Sequence, residues 1–294
     1  MTARRILASM VAAALLLGGI CAATAQEQDG QKQAQALQAA VDAMQKVLQP
    51  GPSDVTLSNQ ATLHVPPGAN FVRQPEAGAW ATVSGYGRDD DLVGIVVPTA
   101  EENWITFIDY HPNVRIVEDE ARAWDADTLL ANLKASTERG NADRQKRDEP
   151  QLEVKGWLKA PAYDTASHKL IWAAISPEKG GDEDEGSGNV HAYALGRDGY
   201  FELTMVSPAG EIASHVAVVK AVLDGIQFGV GRRYEDYAAS RDIKEQAITG
   251  LISSSAPGSG AQMLDTLKIY WIWVVAGLLV FAALVGGLVR AVRR

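Results

Sequence analysis

The feature that most constrains this chain is an apolar stretch near its C-terminus, Ile269 to Val289, which holds 21 residues without a charge. A helix rises about 1.5 Å per residue, so roughly 20 apolar residues cross a hydrocarbon core about 30 Å thick. Aromatic residues crowd the first turn of the stretch, and Arg290, Arg293 and Arg294 follow its last residue, as is typical of a cytoplasmic flank. The stretch therefore predicts a transmembrane helix with a short cytoplasmic tail.

The N-terminus has the pattern of a signal peptide. Arg4 and Arg5 precede an apolar run from Ile6 to Ile20, and Ala23-Thr24-Ala25 supplies the small-x-small motif that a signal peptidase accepts. Cleavage after Ala25 would leave residue 26 first, while an uncleaved run would serve as a second anchor. In either case the middle of the chain is predicted to be exported.

The exported region is strongly acidic. Residues 26–267 contain all 36 acidic side chains and 21 of the 27 basic ones, which gives a net charge of −15. Phosphates and anionic headgroups repel such a surface, so nucleic acid is not an expected partner. The one cysteine, Cys21, lies in the predicted signal peptide, which excludes thiol catalysis and cysteine metal ligands from the mature chain.

Residues 26–49 predict a helix with a narrow apolar stripe that ends before Pro50-Gly51. The stripe consists of Leu37, Val41, Met44 and Leu48. Two uses of it stay open at this point: packing against its own domain, or a short coiled-coil contact with a second chain.

From Thr62 onward, short strand-like runs alternate with turns rich in Pro, Gly and acidic residues. The predicted strands are Ala61 to Val65, Leu92 to Val97, Trp104 to Asp109, Val114 to Val117, Leu152 to Leu158, His168 to Ile175, Val190 to Leu195, Tyr200 to Val206 and Ile226 to Phe228. Residues 160–164 are predicted to be a loop. Gly196-Arg197-Asp198-Gly199 predicts a hairpin turn, because Asp-Gly favours tight turns with positive φ.

Helical spacing predicts a helix capped by Asp125 that continues toward Arg147 and Asp148 and that Gly140 could break. It predicts another helix over Pro208 to Asp224 and a short one over Arg241 to Ser255. The predicted fold class is α+β, an antiparallel sheet with helices packed on its faces, plus one C-terminal transmembrane helix. The predicted divisions are a signal peptide (1–25), an amphipathic helix and linker (26–60), a periplasmic domain (61–255), a linker (256–268), the anchor (269–289) and the tail (290–294).

The sequence contains no recognisable metal or cofactor motif. The five histidines are scattered without the i, i+4 spacing of a zinc protease, and the acidic loop Glu178 to Gly188 fails the EF-hand pattern at its sixth and twelfth positions. A phosphate-binding loop, a dinucleotide fingerprint and a Gly-x-Ser-x-Gly elbow are all missing in context. We therefore assign no cofactor, no metal ligand and no catalytic residue from the sequence.

One stretch, Asn141 to Ala174, gathers side chains that could line a groove for a peptide or glycan. Its candidate ligand-binding residues are Asn141, Arg144, Trp157, Tyr163, Asp164, His168 and Trp172. A structural interpretation competes with this one: the two tryptophans would belong to the core, Arg144 would pair with Asp164, and Asp164 would orient His168. Ser167 and His168 are neighbours on a predicted strand, so they point to opposite faces and form no nucleophile–base pair.

Several segments resemble the bacterial family called domain of unknown function 2167, which is described as membrane-anchored proteins without an assigned activity. They are LHVPPGANF, LVGIVVP, NWITFIDYHPNVRIVEDEA, NADRQKRDEPQLEVKGWLKAPAYDTASHKLIWA, YALGRDGYFELTMV and GRRYEDYAASRD. The chain departs from the family pattern at Gly85 to Arg88 and at Gln246 to Ile248. The order of elements is also similar to the small α/β/α sandwiches of the PsbP type, which serve as binding or assembly factors; this is an analogy of fold.

Three hypotheses of function follow. The first is a periplasmic interaction module tethered to the bacterial inner membrane through residues 269–289, acting as an adaptor or assembly factor for an envelope protein. The second is an envelope-polymer hydrolase that uses Asp164 and His168 as its base pair, and the third is a glycan-binding or peptide-binding protein. The small residues Ala282, Ala283, Gly286 and Gly287 would also permit a homodimer through the anchor.

Overall fold

A computed structural model describes residues 32–86, 90–238 and 243–255 of the chain. The predicted signal peptide, the predicted anchor at residues 269–289 and the linker before it lie outside the described residues. Within the described ranges, no helix combines the length and the apolar character needed to cross a membrane.

The described residues form an α+β fold, as the sequence predicted. The strands in chain order are β1 (Gln49–Pro50), β2 (Ser53–Leu57), β3 (Ala61–Val65), β4 (Ala69–Arg73), β5 (Leu92–Pro98), β6 (Ile105–Pro112), β7 (Val114–Val117), β8 (Gly156–Asp164), β9 (Lys169–Ile175), β10 (Ser187–Leu195), β11 (Gly199–Pro208), β12 (Ile226–Phe228) and β13 (Lys244–Ala247). The α-helices are α1 (residues 32–47), α2 (Glu76–Val83), α3 (Ala126–Lys146), α4 (Ile212–Gly225) and α5 (Thr249–Ser254). Short 3-10 turns lie at Asp119–Ala123 and Tyr234–Asp236.

Most strands belong to an eight-stranded antiparallel sheet, in the order β1-β4-β5-β6-β11-β10-β9-β8. A second sheet, β12-β3-β2, is antiparallel, whereas β13 pairs with β7 in parallel. The strands β10 and β11 therefore lie near the middle of the large sheet, and each has a hydrogen-bonded neighbour on both sides.

The β10–β11 hairpin confirms the strongest local prediction. Its turn closes with a backbone hydrogen bond of 2.9 Å from Gly196 N to the Gly199 carbonyl oxygen. Gly199 has no positive φ, contrary to the expectation for this Asp-Gly pair. Glycine is required there because a Cβ would lie 2.5 Å from the carbonyl oxygen of His111 on the adjacent strand.

The first face of the large sheet carries α4 and the small sheet. Alternate residues of β10 and β11 point into this layer, as the period of two predicts. The buried side chains of this face include Val55, Leu63, Ile171, Ala192, Phe201, Leu203, Met205, Val219 and Leu223. This layer is the largest continuous apolar core among the described residues.

The second face carries two separate apolar clusters. One lies under α1 and α2 and includes Val41, Met44, Trp80, Tyr86, Ile95 and Phe107. The other lies under α3 and α5 and includes Leu129, Leu133, Trp172, Tyr193, Leu251 and Ile252. A polar strip on β10 and β11 runs between the two clusters, and the candidate site below is built on it.

The helix α1 packs against its own domain, which is the first of the two uses that the sequence left open. Val41 and Met44 are buried in the cluster under α1 and α2, and Leu37 and Leu48 pack at its margin. The stripe is narrow because the helix needs only one apolar face where it lies on a sheet.

Two local predictions were wrong. The segment 160–164 is part of β8 instead of a loop, and residues 152–155 precede that strand. Proline is tolerated at position 161 because β8 is an edge strand with register shifts, where a missing N–H removes no ladder bond. The helix α3 is capped by Asp125 and runs to Lys146, next to Arg147, as predicted. Gly140 does not break it, since one glycine costs a helix only about 1 kcal/mol.

The second error concerns the predicted helix over Arg241 to Ser255. Residues 244–247 form β13, and only residues 249–254 form a helix. Residues 244–247 pair with the open edge of β7. Lys244 is in register with Val114, which lies 130 positions earlier in the chain. A single sequence contains no local signal for such a pairing.

We predict that Leu203→Ala destabilises the chain by about 2–5 kcal/mol, because truncation leaves a cavity in the first-face core. Leu203 is fully buried at the middle of the sheet. Chemical denaturation of the purified protein measures the change in free energy of unfolding. The matched control is Val230→Ala, at a side chain that is 90% exposed, which should change stability by less than about 0.5 kcal/mol. Equal effects at the two positions would contradict the assigned core.

Candidate functional site

Two of the predicted ligand-binding residues, Asn141 and Arg144, lie on the last turns of α3 and are buried. The Asn141 side chain donates to the Leu152 carbonyl oxygen at 2.8 Å and accepts from the Leu152 N–H at 2.9 Å. Arg144 Nε donates to the Pro150 carbonyl oxygen at 2.6 Å. Both side chains fasten the segment after α3 to the helix itself.

The expected pair between Arg144 and Asp164 is not the one that forms. The carboxylate near Arg144 is Glu149, whose Oε2 lies 3.9 Å from the guanidinium. Asp164 instead closes the turn between β8 and β9, where it accepts from Ala166 N at 2.9 Å and from Ser167 Oγ at 2.7 Å. The hydrogen bond from Ser167 is the main reason that the pKa of Asp164 lies below its ordinary value.

The predicted tryptophans are neighbours across β8 and β9. Their ring centroids lie 5.9 Å apart in an edge-to-face arrangement, and Trp157 Nε1 donates to the Ala126 carbonyl oxygen at 3.0 Å. Trp172 is 1% exposed, and its ring stacks on His191 with a centroid distance of 4.4 Å. The pair belongs to the core under α3.

His168 has a carboxylate partner, but it is Glu118 instead of Asp164. His168 Nδ1 lies 2.9 Å from Glu118 Oε2, and the Tyr163 hydroxyl contacts both side chains. Burial, then the hydrogen bond and charge of Glu118, raise the pKa of Tyr163. The sequence could not identify Glu118, because it is 50 residues from His168 in the chain.

A stack of side chains continues from His168. The His168 ring stacks on Tyr234 at 4.3 Å, and the Arg115 guanidinium lies 4.0 Å from the ring centroids of both Tyr234 and Tyr237. These cation–π contacts hold residues 234–237 against β7. The predicted ligand-binding residues are thus distributed over separate intrachain contacts. Ligand binding by them stays a prediction.

A second polar cluster, which the sequence did not reveal, lies on the second face at β6 and β11. The two ring nitrogens of His111 lie 3.3 Å from Asp91 Oδ2 and 3.1 Å from Glu202 Oε2. Burial alone would lower the pKa of His111, but the hydrogen bond to Glu202 and the charges of Glu202, Asp109 and Asp91 outweigh it, and the pKa rises. The surrounding carboxylates therefore favour the protonated form of His111.

The same cluster reaches the end of α5. Burial tends to raise the pKa of Glu202, yet the hydrogen bond from His111, the charge of His111 and the hydrogen bond from Tyr193 bring it below the ordinary value. The Tyr193 hydroxyl lies 3.0 Å from Glu202 Oε1 and 2.6 Å from Ser255 Oγ. Residues of β6, β10, β11 and the chain after α5 thus share one hydrogen-bond network.

Next to this network lies a strip that we call the central groove, formed by Glu202 and Thr204 on β11 and by Asn189 and His191 on β10. In the register of the sheet, His191 faces Thr204 on one side and Trp172 on the other. The four side chains lie between the two apolar clusters of the second face. Burial lowers the pKa of His191 to about 4, so its ring is uncharged at neutral pH.

The structure also contains a serine–histidine pair, on the first face. Ser207 Oγ lies 2.7 Å from His215 Nδ1 on α4. A nucleophile must be reachable by its substrate, but Ser207 is fully buried and His215 is 8% exposed. The pair holds α4 to β11.

The acidic loop between β9 and β10 borders a small cleft of about 140 Å³. Its floor is apolar, with Leu158, Ala174 and Ile212, and residues 183–185 stand at its rim. Across the part of the chain that the structure describes, no group of three or more His, Cys, Asp or Glu side chains is arranged to hold a metal ion.

Comparison with known protein families matches residues 49–282 to the family described as Protein of unknown function (DUF2167). The match covers more than half of the chain. The chain belongs to this family. The matched range contains every strand of the large sheet and the four residues of the central groove.

Other comparisons add little to the family assignment. No curated protein matches the chain. A solution structure of cyanobacterial PsbP (CyanoP) from Synechocystis sp. PCC 6803 aligns with 62% of this chain and 93% of its own length, at 8% identity and a TM-score of 0.37. A likeness at that score supports no conclusion about function.

We predict that Asn141→Ala destabilises the chain by about 2–3 kcal/mol, since it leaves the buried N–H and carbonyl of Leu152 without partners. Chemical denaturation measures the change. The control is Lys134→Ala, an exposed position on the same helix, which should have little effect. If Asn141 served a ligand instead of the fold, its removal would leave the stability of the unliganded protein unchanged.

We also predict that His191 makes the fold sensitive to acid. The unfolded chain binds a proton at His191 near pH 6.5, whereas the folded chain does so only near pH 4, so stability falls as the pH drops between these values. The full difference corresponds to about 3 kcal/mol. His191→Phe keeps a ring against Trp172 and removes the titration. As the pH drops from 7 to 4, the unfolding free energy of the original protein should fall by about 3 kcal/mol more than that of the variant; parallel profiles would refute the assignment.

Proposed function

We propose that this protein is an interaction module tethered to the bacterial inner membrane, with its α+β domain in the periplasm and its C-terminus in the cytoplasm. In this proposal residues 1–25 direct export, residues 61–255 form the working domain, and residues 269–289 anchor it. The domain acts as an adaptor or assembly factor for an envelope protein. The acidic region 26–267 favours a partner with a basic surface, because like charges on the headgroups and on nucleic acids repel it.

The observation that supports this proposal most is the engagement of the candidate chemical groups with one another. Asn141 and Arg144 bind the backbone of residues 150–152, and His168 binds Glu118. Ser207 is buried against His215. Because these side chains are held by intrachain contacts, the surfaces around them are rigid. A rigid surface suits recognition of a protein partner.

The hydrolase hypothesis loses its base pair. It required Asp164 to orient His168, but Asp164 bonds within its own turn and Ser167 donates to it. The glycan hypothesis through Trp157, Tyr163 and Trp172 loses a ring face, because the Trp172 ring is stacked on His191 and nearly fully buried. We therefore rank both alternatives below the adaptor hypothesis.

Reporter fusions test the proposed location. A reporter that is active only in the periplasm should be active when it is fused before Leu267 and silent when it is fused after Arg294. The reverse pattern would place the domain in the cytoplasm and remove the proposed partner class.

Site-specific photocrosslinking in cells tests the adaptor role. A photoreactive residue is placed in the full-length protein at one exposed site at a time: Lys134 on α3, Ala160 on β8, and Glu183 in the acidic loop. We expect one discrete adduct with a single envelope protein from one of these surfaces and none from the others. Buried Leu203 is the matched negative position. Uniform absence of adducts at all three surfaces would contradict the proposal.

A further inference from the structure

The cleft of about 140 Å³ between β9, the acidic loop and the start of α4 is open to solvent and has an apolar floor. We call it the acidic-loop cleft. Leu158 on β8 and Ala174 and Ile175 on β9 line it and are half-buried, so part of each residue is accessible from solvent. Ile212, the first residue of α4, completes the floor. Such a concave apolar surface is stabilised when an apolar group covers it.

The volume of the cleft limits what can enter it. A cavity of about 150 Å³ holds a benzene-sized group, so this cleft has space for one side chain. A helix is about 10–12 Å across with its side chains and is too wide to enter. Recognition at this site is therefore directed at a single residue of a partner.

The rim of the cleft carries carboxylates without a cation of their own. The acidic loop contains five acidic side chains and one lysine, Lys179, whose Nζ lies 3.3 Å from Glu138 Oε1 on α3. Glu183, Asp184 and Glu185 line the cleft and are exposed. None of these three forms an ion pair or a side-chain hydrogen bond with another described residue. Negative charge thus stands at the mouth of an apolar cleft.

The loop that carries this rim is held near both of its ends. Lys179 N donates to the Gln151 carbonyl oxygen at 2.8 Å, and Ala209 N donates to the Gly186 carbonyl oxygen at 3.1 Å. The second bond joins the end of the loop to the segment before α4. The cleft is therefore formed before a ligand arrives, which lowers the ordering cost of binding.

An apolar floor below a negatively charged rim matches the two parts of a long basic side chain. Lysine and arginine both pack an alkyl stem on apolar surface and keep the charged end in water. Arginine is favoured where its planar group stacks on an aromatic ring, but none of the described residues that line the cleft is aromatic. Lysine, with a flexible four-carbon stem and a compact ammonium group, suits an aliphatic floor better.

We propose that the acidic-loop cleft binds one lysine side chain of a protein partner, with its methylene groups on the apolar floor and its ammonium group beside Glu183 and Glu185. This inference rests on the proposed function, because it names the chemistry by which the adaptor recognises an envelope protein. The rim is exposed, so each ion pair contributes little and the covered floor supplies most of the affinity.

Methyl nuclear magnetic resonance of the full-length protein in nanodiscs of a zwitterionic lipid tests the proposal. The probe is the peptide acetyl-Gly-Lys-Gly-amide, whose only charge is its lysine. We expect saturable shifts of the Leu158 and Ile212 methyl signals, which report on the floor. The methyl signals of Leu133, under α3 on the second face, should stay constant.

A norleucine peptide separates the contribution of the stem from that of the charge. Norleucine keeps a four-carbon stem and lacks the ammonium group. At low salt it should bind about 1.4- to 5-fold more weakly than the lysine peptide, the range for one exposed ion pair. The two affinities should converge near 1 M salt, where the Debye length is about 3 Å.

Two pairs of variants locate the binding site. Ala213→Phe places a ring at the mouth of the cleft, because Ala213 is exposed and lines it from α4. It should abolish the methyl shifts, whereas Ala217→Phe, at an exposed position one turn further along the same helix, should leave them unchanged. Glu183→Gln should weaken binding of the lysine peptide by about 1.4- to 5-fold. The charge-matched control is Asp182→Asn, in the same loop but outside the lining.

Leu158 and Ile212 signals that stay constant during the titration would overturn the proposal. It also fails if the norleucine peptide binds as tightly as the lysine peptide at low salt, or if the same peptide with arginine binds more tightly.

Crosslinking in cells distinguishes this failure from failure of the adaptor. Adducts from Lys134 or Ala160 but none from the acidic loop would overturn the lysine site and keep the adaptor. Absence of adducts from all three surfaces, together with the methyl shifts, would contradict the adaptor while the shifts still support a lysine site.

Discussion

The antiparallel pairing of β10 and β11 is the interaction on which the other layers depend. Each strand has a second hydrogen-bonded neighbour, β9 or β6, so the hairpin joins the two halves of the large sheet. Its first-face side chains, such as Phe201 and Leu203, form the floor under α4. Its second-face side chains are the polar strip that separates the two helix-covered clusters. One alternating sequence thus supplies an apolar core on one side and a site on the other.

The titratable groups of the second face have pKa values that are shifted in different directions. Their contributions to stability therefore change with pH in opposite ways. The raised pKa of His111 makes its contribution to stability complete below about pH 6.5 and lost as the pH rises through the folded-state value. The lowered pKa of Glu202 makes its contribution complete above about pH 4.3 and lost in stronger acid. Both groups contribute fully to stability between these two pH values. In the same range His191 lowers the stability, because it binds a proton in the unfolded chain but not in the folded one.

The candidate site illustrates how far one sequence can be interpreted. Arg144, Asp164 and His168 are close enough along the chain to suggest one cluster, and each has instead found a different partner. Glu149 and Glu118 are the carboxylates that matter, and Glu118 lies 50 residues from its histidine. The central groove was missed for the same reason, because its members come from two different strands, β10 and β11. Their relation depends on strand order, which alternation along a strand does not specify.

By itself the sequence determined the features that depend only on residues close together in the chain. The Asp125 cap, the β10–β11 turn, the face of β11 that enters the core and the apolar stripe of α1 follow from local hydrogen bonding and from periodicity. Only the tertiary structure decided that residues 160–164 continue an edge strand and that residues 244–247 pair with β7. It also decided which carboxylates face His111 and His168. Local patterns fix local geometry, whereas partners between distant segments are chosen by the packing of the whole sheet.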